Sequence, residues 1–555
     1  MRIFWVLGGA VACLLGLVLP AWAATLTVPV PYATIQAAVD DAQAGDIVEV
    51  GAGVYSDVTH EAGGGDTTKC VVVMKSGITV RGAGLDETII DADLRGRGIH
   101  FYQVSDAEVA HLTVRNSDGE NYGVGVLLKQ STAYLHHVKV MDGANGGIAF
   151  IQNSGGTVSH SVFEGSAGKA GAGIDVEIDC APYFYECSII GNSGPSNAGV
   201  QLRGDAVLDH CLIDNNTTAG DSPGGVMGGG IGILNGAPTV INCEITNNYS
   251  GGSGGGLVYL SNDPGGLIDN CVISGNTAAG SEGLGGGVLV SSLATVEITR
   301  CLVTDNSVTG DWCDGGGLYV KYAALEMSNC TFHGNSVGGS YGFAGNIGLK
   351  PLASPPHEIS IAYTISAAST AGQGIWCASN PELITISCCD VYGNAGGDDL
   401  CGTHTDCFSL DPLLCDAIAG NFHVDDASPC APGNHPGGAG TCGGGLIGAR
   451  TAGCDSDVPE DLTRRAALLG NQPNPFARST MVSFALSQGE RVTLDIYDPS
   501  GRRIARLHEG WLPAGLHQAS WNGGTLDGGQ AGSGVYFYRL RAGDLIESMR
   551  MLRLR

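Results

Sequence analysis

Basic residues are scarce in this chain: 27 Lys and Arg stand against 55 Asp and Glu in 555 residues, a formal net charge of −28 at pH 7. A surface this acidic repels nucleic acid and anionic membranes, which argues against both as partners. No apolar run after residue 23 is long enough to span a bilayer. No Gly-x-y period accompanies the 89 glycines, so collagen is excluded, and the high aliphatic content argues against a disordered linker. The leucine and helix spacing of leucine-rich repeats is missing as well.

What is present begins with "MRIFWVLGGAVACLLGLVLPAWA", where Arg2, an apolar stretch and a small-x-small ending at Ala21, Trp22 and Ala23 read as a cleaved secretory signal over residues 1–23. Charge then divides the chain. Residues 24–450 hold 44 acids and 14 bases, whereas residues 451–555 hold 11 acids and 12 bases, so two regions with different surfaces are expected. Export makes the 18 cysteines left after Cys13 candidates for disulfides.

A repeat frame assigns many of those cysteines differently. "NCEITNN" from Asn242 returns as "NCVISGN" from Asn270, "RCLVTDN" from Arg300 and "NCTFHGN" from Asn329, and aligns Cys187, Cys211, Cys243, Cys271, Cys301, Cys330 and Cys389 in one column. Leu112, Val138 and Ser161 extend it upstream. Five residues on stand Asn192, Asn216, Asn248, Asn276, Asn306, Asn335 and Asn394, followed by glycine runs and alternating aliphatics such as "GGGIGIL" and "GGGLYV". Short strands repeated every 20 to 50 residues mean a solenoid, because one coil cannot bury its own apolar face.

A parallel β-helix fits best, with a propeller as the runner-up. In the β-helix the Asn column occupies sharp turns, tolerates left-handed backbone and bonds its equivalent on the next rung. Column cysteines are compact core filler and stay free thiols, since stacked parallel side chains rarely meet disulfide geometry. Off the column, Cys401, Cys407, Cys415, Cys430, Cys442 and Cys454 are the better candidates for pairing.

At the amino end, "YATIQAAVDDAQAGDIVEVGAGVY" places Ile35, Ala38, Val39 and Ala42 at helical spacing before a strand, as a capping helix over the first rung would require. With the repeats after it, this stretch resembles the cap and coils of right-handed β-helix proteins of the pectin-lyase-like superfamily, over roughly residues 25–450. That superfamily holds lyases, hydrolases, epimerases and adhesins, so the resemblance implies the fold and leaves the activity open. No polygalacturonase-like series of Asp motifs followed by His and Arg-x-Lys is present.

Beyond a linker at 451–470 the texture changes to separate alternating strands, "VTLDIYD" and "GVYFYRL", with "PSG" and "DGG" turns. These predict a small antiparallel sandwich of about seven strands over 471–555. Asn474, Pro475, Phe476, "DIYDPSGRRI", "LPAGLHQASWNG", "SGVYFYRL" and the basic tail resemble the type A sorting domain of the type IX secretion system and the related immunoglobulin-like domain of flagellar hook-capping proteins. The resemblance implies a Gram-negative host, the outer-membrane secretion machinery as a partner, and a secreted or cell-surface destination.

Three places can carry chemistry. In "GIDVEIDC", alternation sends Ile174, Val176 and Ile178 inward and Asp175, Glu177 and Asp179 outward, an oxygen set suited to Ca²⁺. Gln201 and Arg203 fall beside Asp175 and Glu177 on the next rung, and Lys129 lies in the Glu177 column two rungs earlier. Arg203 or Lys129 could therefore serve a β-elimination as base or electrostatic stabiliser. A solvated acidic face with a cross-rung ion pair accounts for the same residues.

The second place is the column before the cysteines, His111, His137, His160, Glu186 and His210, where His137 with His160, or His160 with Glu186, could hold a metal. Polar stacking explains it equally, since the column drifts to Asn242, Asn270 and Asn329. The third is the aromatic set Trp312, Tyr319, Tyr322 and Trp376, suited to sugar faces or else covered by "PLASPPHE" at 351–358. Together these features favour an exported β-helix protein that binds a polysaccharide or cell-surface glycan or acts at the surface. The alternative is a Ca²⁺-dependent lyase of a uronate-containing polymer, metal-dependent because an acidic solenoid repels an acidic substrate.

Overall fold

The computed structural model describes residues 23–553 except 455–465 and the short stretches 64–65, 120–121, 169–170, 220–226, 262–264, 292, 294, 340–341, 355, 473–475, 477–478, 487–489, 498–501, 513–514, 527–528 and 543–544. The predicted signal at 1–23 falls outside this range but for its last residue, as do much of the linker and the sorting-motif residues Asn474 and Pro475. Described residues form two compact units, divided near Cys407. Among them no helix is long and apolar enough to cross a membrane.

The first unit is a parallel β-solenoid. A single register runs from Thr25 through Ile47, Thr79, Glu108, Tyr134 and Thr157 and reaches Thr403 at the last rung. A second parallel sheet includes the strands Arg97–Tyr102, Val126–Lys129, Ile148–Ile151, Ile174–Val176 and Val200–Leu202. A third is built from two-residue strands such as Thr217–Thr218 and Tyr249–Ser250. Aliphatics from all rungs meet inside, Ile189, Ile213, Ile245 and Ile273 being fully buried.

The expected capping helix is Ile35–Asp41, with the Thr34 hydroxyl accepting from the Ala37 N–H. Ile35, Ala38, Val39 and Ala42 are buried as the spacing predicts. Gln36 adds a polar closure: its Oε1 accepts from the Val73 N–H at 2.7 Å and its Nε2 donates to the Val73 carbonyl at 3.3 Å. The helix thus satisfies an open strand edge that would otherwise invite another chain.

The two columns explain the repeat. Asn216 Nδ2 donates to Asn248 Oδ1 at 2.9 Å, Asn248 to Asn276 at 3.0 Å, Asn276 to Asn306 at 2.9 Å and Asn306 to Asn335 at 3.0 Å. Asn346 joins the ladder between Asn335 and Asn394, and Asp398 caps it by accepting from Asn394 Nδ2 at 2.8 Å. Left-handed backbone is found one residue before the ladder, at Asn215, Asn247 and Asp305, rather than on the ladder itself. The glycine runs make room for it: a Cβ on Gly230 would lie 2.9 Å from Asn248 Nδ2.

All seven column cysteines are buried and lie outside the disulfides described below. Their thiols are also hydrogen-bonded, as where Cys243 Sγ donates to the Ile241 carbonyl at 3.1 Å. Ser161 plays the same part upstream, donating to Ser159 O at 2.7 Å and accepting from the Val138 N–H at 3.1 Å. A small residue with one donor therefore suits the position from Ser161 onward, whereas upstream Leu112 and Val138 fill it as buried aliphatics. Three disulfides join Cys377 to Cys401, Cys388 to Cys442 and Cys415 to Cys454. Cys407 and Cys430, expected to pair, lie outside these three disulfides; the Cys430 thiol instead contacts Asp390 Oδ2 at 3.3 Å.

The second unit contains the sandwich, a three-stranded sheet of Ala466–Gln472, Thr480–Leu486 and Gly515–Trp521 and a four-stranded sheet of Arg503–Leu512, Glu490–Tyr497, Gly534–Ala542 and Leu545–Arg553. Val482, Phe484, Leu494, Ile496, Trp521, Tyr538 and Met551 fill its core. About seven strands were expected, and the described residues form seven.

Candidate functional site

In the second sheet of the solenoid, three successive strands, Arg97–Tyr102, Val126–Lys129 and Ile148–Ile151, each turn through a left-handed residue, and each of those residues is glutamine. Register places Tyr102 beside Lys129 and Lys129 beside Ile151, so Gln103, Gln130 and Gln152 form the next column, each with φ between 52° and 55°. Gln103 Nε2 donates to Gln130 Oε1 at 3.1 Å. These amides, with Tyr122, Ile151, Asn153, Glu177, Ile178 and Asp179, line an open groove of about 750 Å³.

Glu177 is the hub of its wall. Its Oε1 accepts from Tyr122 Oη at 2.8 Å and from Arg203 Nη1 at 2.6 Å. Tyr122 is held in turn by its carbonyl, which accepts from Arg97 Nε at 2.6 Å, and Arg97, wholly buried, pairs with Asp66 at 2.8 Å. Burial, then donation to the Glu177 carboxylate, pushes the Tyr122 phenol well up. Burial alone would lower the Arg203 guanidinium, but Glu177 outweighs it and raises it.

Asp175 sits behind this wall, 8% exposed. Burial pushes its carboxyl up to about 6, against the Gln201 amide that donates to Oδ1 at 2.9 Å. The predicted cross-rung register is present: Asp175 pairs with Gln201, and Lys129 stands two rungs from Glu177 in one column. The Lys129 ammonium lies 5.4 Å from the Tyr102 ring centroid and has no carboxylate partner among the described residues.

The shared outer face of Asp175, Glu177 and Asp179 is not formed. Alternation ends with the strand at Val176, and Asp179 has φ 63°, so Ile178, expected inward, is 54% exposed. Among the described residues these carboxylates do not gather as a cation site; the group that does gather is His111, His136 and His137.

The aromatic residues also separate. Trp312 is 61% exposed and Tyr322 is 37% exposed, with Lys321 and Lys350 placed 6.0 and 5.3 Å from the Tyr322 ring. Tyr319 and Trp376 share a column through Gly348, but Tyr319 is buried against Val258 and Leu289 rather than offered to a ligand, and Trp376 stacks on Phe343 at 4.6 Å.

Residues 172–349 match the family described as "Right handed beta helix region", and residues 470–544 match the "FlgD Ig-like domain". The solenoid is a right-handed β-helix. Similar solved structures include pectate lyase Pel9A, with 13% identity, 78% of this chain and 97% of that chain covered, and a TM-score of 0.35. The Azotobacter vinelandii mannuronan C-5 epimerase AlgE6 A-module is similar at 14% identity over 62% of this chain and 94% of that chain, TM-score 0.28. A mannuronic acid specific polysaccharide family 6 lyase from human gut microbiota is similar at 11% identity over 72% and 94%, TM-score 0.30. No curated protein matches the chain by sequence.

Sequence reasoning missed Tyr122 and the three glutamines. The glutamine column was available as "YQ", "KQ" and "IQ" after successive strands, whereas Tyr122 reaches Glu177 from 55 residues away and leaves no local signal.

Proposed function

We propose that the β-helix cleaves a uronate-containing polysaccharide by β-elimination in the groove beside Glu177. The observation that carries this reading is the convergence of a phenol donor and a guanidinium on one carboxylate at the wall of a groove lined by neutral amides. Side-chain amides pair with sugar hydroxyls without adding negative charge, and Lys129 supplies a cation for the uronate carboxylate. Rungs lie about 4.8 Å apart, so the two steps between Lys129 and Glu177 are of the order of one sugar ring plus the reach of a lysine stem.

The steps balance within this chain's own groups. Lys129 binds the substrate carboxylate, which makes the C5 proton acidic. Glu177, oriented by Arg203, takes that proton; the C4–C5 double bond forms as the C4–O4 bond breaks, and Tyr122 gives its proton to the departing O4. The proton on Glu177 then returns to the Tyr122 phenolate along the hydrogen bond that joins them. Because Asp175, Glu177 and Asp179 do not converge, the step is assigned to Lys129 rather than to Ca²⁺.

A second reading, glycan binding without cleavage, is favoured by the exposed rings of Trp312 and Tyr322. In either case the chain is exported through its amino-terminal signal and its carboxy-terminal domain to the surface of a Gram-negative host. Incubation of the exported chain with pectate, alginate and a neutral glycan, followed by ultraviolet absorbance of unsaturated uronate, tests the reading. Absorbance should rise on a uronate polymer only; a flat trace on every polymer with the protein folded would leave the binding reading.

A further inference from the structure

The column before the cysteines occupies a corner of the solenoid where every residue is left-handed: φ is 56° at His111, 50° at His137, 48° at His160 and Glu186, and 54° at His210. Such a corner throws successive side chains outward on a common line. His111 and His137 stack at 4.9 Å, and His137 and His160 at 5.0 Å with rings 1° from parallel. Stacking alone would account for these contacts, and His160 Nε2 with Glu186 Oε2 at 2.9 Å is a simple hydrogen-bonded pair.

His136, one residue before this column, stands outside that line and stacks instead on Tyr134 at 4.7 Å. Its ring stands edge-on to both His111 and His137, at 5.3 Å from each, and its Nδ1 faces His137 Nδ1 at 3.1 Å. Two imidazole nitrogens bound to one tetrahedral ion at about 2.0 Å are roughly 3.3 Å apart. His111 brings a third nitrogen, and all three ligand atoms lie within 4.8 Å of one another. On the far side of the ring, His136 Nε2 meets Glu108 Oε1 at 3.2 Å, and Arg81 Nη2 lies 3.9 Å from the same oxygen. A carboxylate behind a ligating imidazole fixes its orientation and leaves the other nitrogen for the metal.

We propose that His111, His136 and His137 form a binding site for a divalent transition-metal ion of the zinc type, oriented by Glu108 and open to solvent at its remaining position through the exposed His137. Nitrogen ligands select zinc, copper or nickel over Ca²⁺. The site lies on the first sheet's corner, apart from the groove residues, and does not depend on the cleavage reading.

The test strips the purified full-length chain with a chelator and titrates it with Zn²⁺ against a chromophoric competitor, with circular dichroism confirming the fold of each variant. One ion per chain is expected, with affinity falling roughly tenfold or more in His136→Ala and His137→Ala and about tenfold in Glu108→Gln. His136→Gln, which keeps a polar side chain of similar reach, should weaken binding as His136→Ala does while keeping the fold. Ca²⁺ should not compete. Absence of stoichiometric uptake by the folded chain, or uptake unchanged in His111→Ala/His136→Gln/His137→Ala, would overturn the assignment.

Discussion

Tyr122 and Arg203, from a loop and from a strand end some 80 positions later in the chain, donate to the same oxygen of Glu177 at 2.8 and 2.6 Å. Two donors on one oxygen orient the carboxylate. Replacing the hub removes the proton acceptor without emptying the site. Glu177→Gln is expected to lower kcat by about 10²–10⁴-fold, with the far-ultraviolet circular dichroism unchanged. Steady-state kinetics on a uronate polymer checks this, and wild-type kcat in the variant would remove Glu177 from the reaction.

Asp175 ties the site to stability. Its carboxyl is held above the ordinary 3.8, at about 6, chiefly by burial, so the native state binds this proton more tightly than the unfolded chain. The contribution is therefore fully present below about pH 4 and is lost as pH rises through about 6. Asp175→Asn, neutral and of the same shape, should match wild type below pH 4 and exceed it above pH 6 by roughly 3 kcal/mol. Denaturant melts at pH 4 and pH 8 measure the difference; equal gaps at both would contradict the buried-carboxyl account.

The asparagine ladder can be addressed one rung at a time. Asn248 Oδ1 accepts from both the N–H and the Nδ2 of Asn216, and its own Nδ2 donates to the Ile213 carbonyl. Asn248→Ala leaves these buried groups unpaired and should cost roughly 3 kcal/mol or more. An exposed strand control, Glu326→Ala, should cost a small fraction of that in the same melts.

Thiol chemistry separates the cysteines by burial. Cys407, half-buried, should react with iodoacetamide in the native protein, whereas Cys187, Cys211, Cys243, Cys271, Cys301 and Cys330, all buried, should react only in denaturant. Peptide mapping by mass spectrometry reads both, and also the pairs Cys377–Cys401, Cys388–Cys442 and Cys415–Cys454.

The solenoid was legible because one coil's chemistry is repeated on the next: Cys243 and Cys271, or Asn248 and Asn276, keep their spacing because each must meet its equivalent above and below. The sandwich was legible from alternation in "VTLDIYD" and "GVYFYRL". Ile178 was misplaced because alternation was carried past the end of a strand that stops at Val176, and sequence carries no mark of that stop beyond Asp179. His136 escaped notice because the column reading followed its neighbour His137, and the facing nitrogens depend on a turn that brings adjacent residues together. Tyr122 belongs to a loop placed by the buried Arg97–Asp66 pair, a dependence that no spacing reveals.

Cleavage in the Glu177 groove is tested most directly by one comparison: release of unsaturated uronate from alginate and pectate by the wild type, Lys129→Ala, Glu177→Gln and Trp312→Ala. The account predicts product from the wild type and from Trp312→Ala, and a loss of about 10²-fold or more in Lys129→Ala and in Glu177→Gln. Product formation undiminished in Lys129→Ala and Glu177→Gln would contradict it.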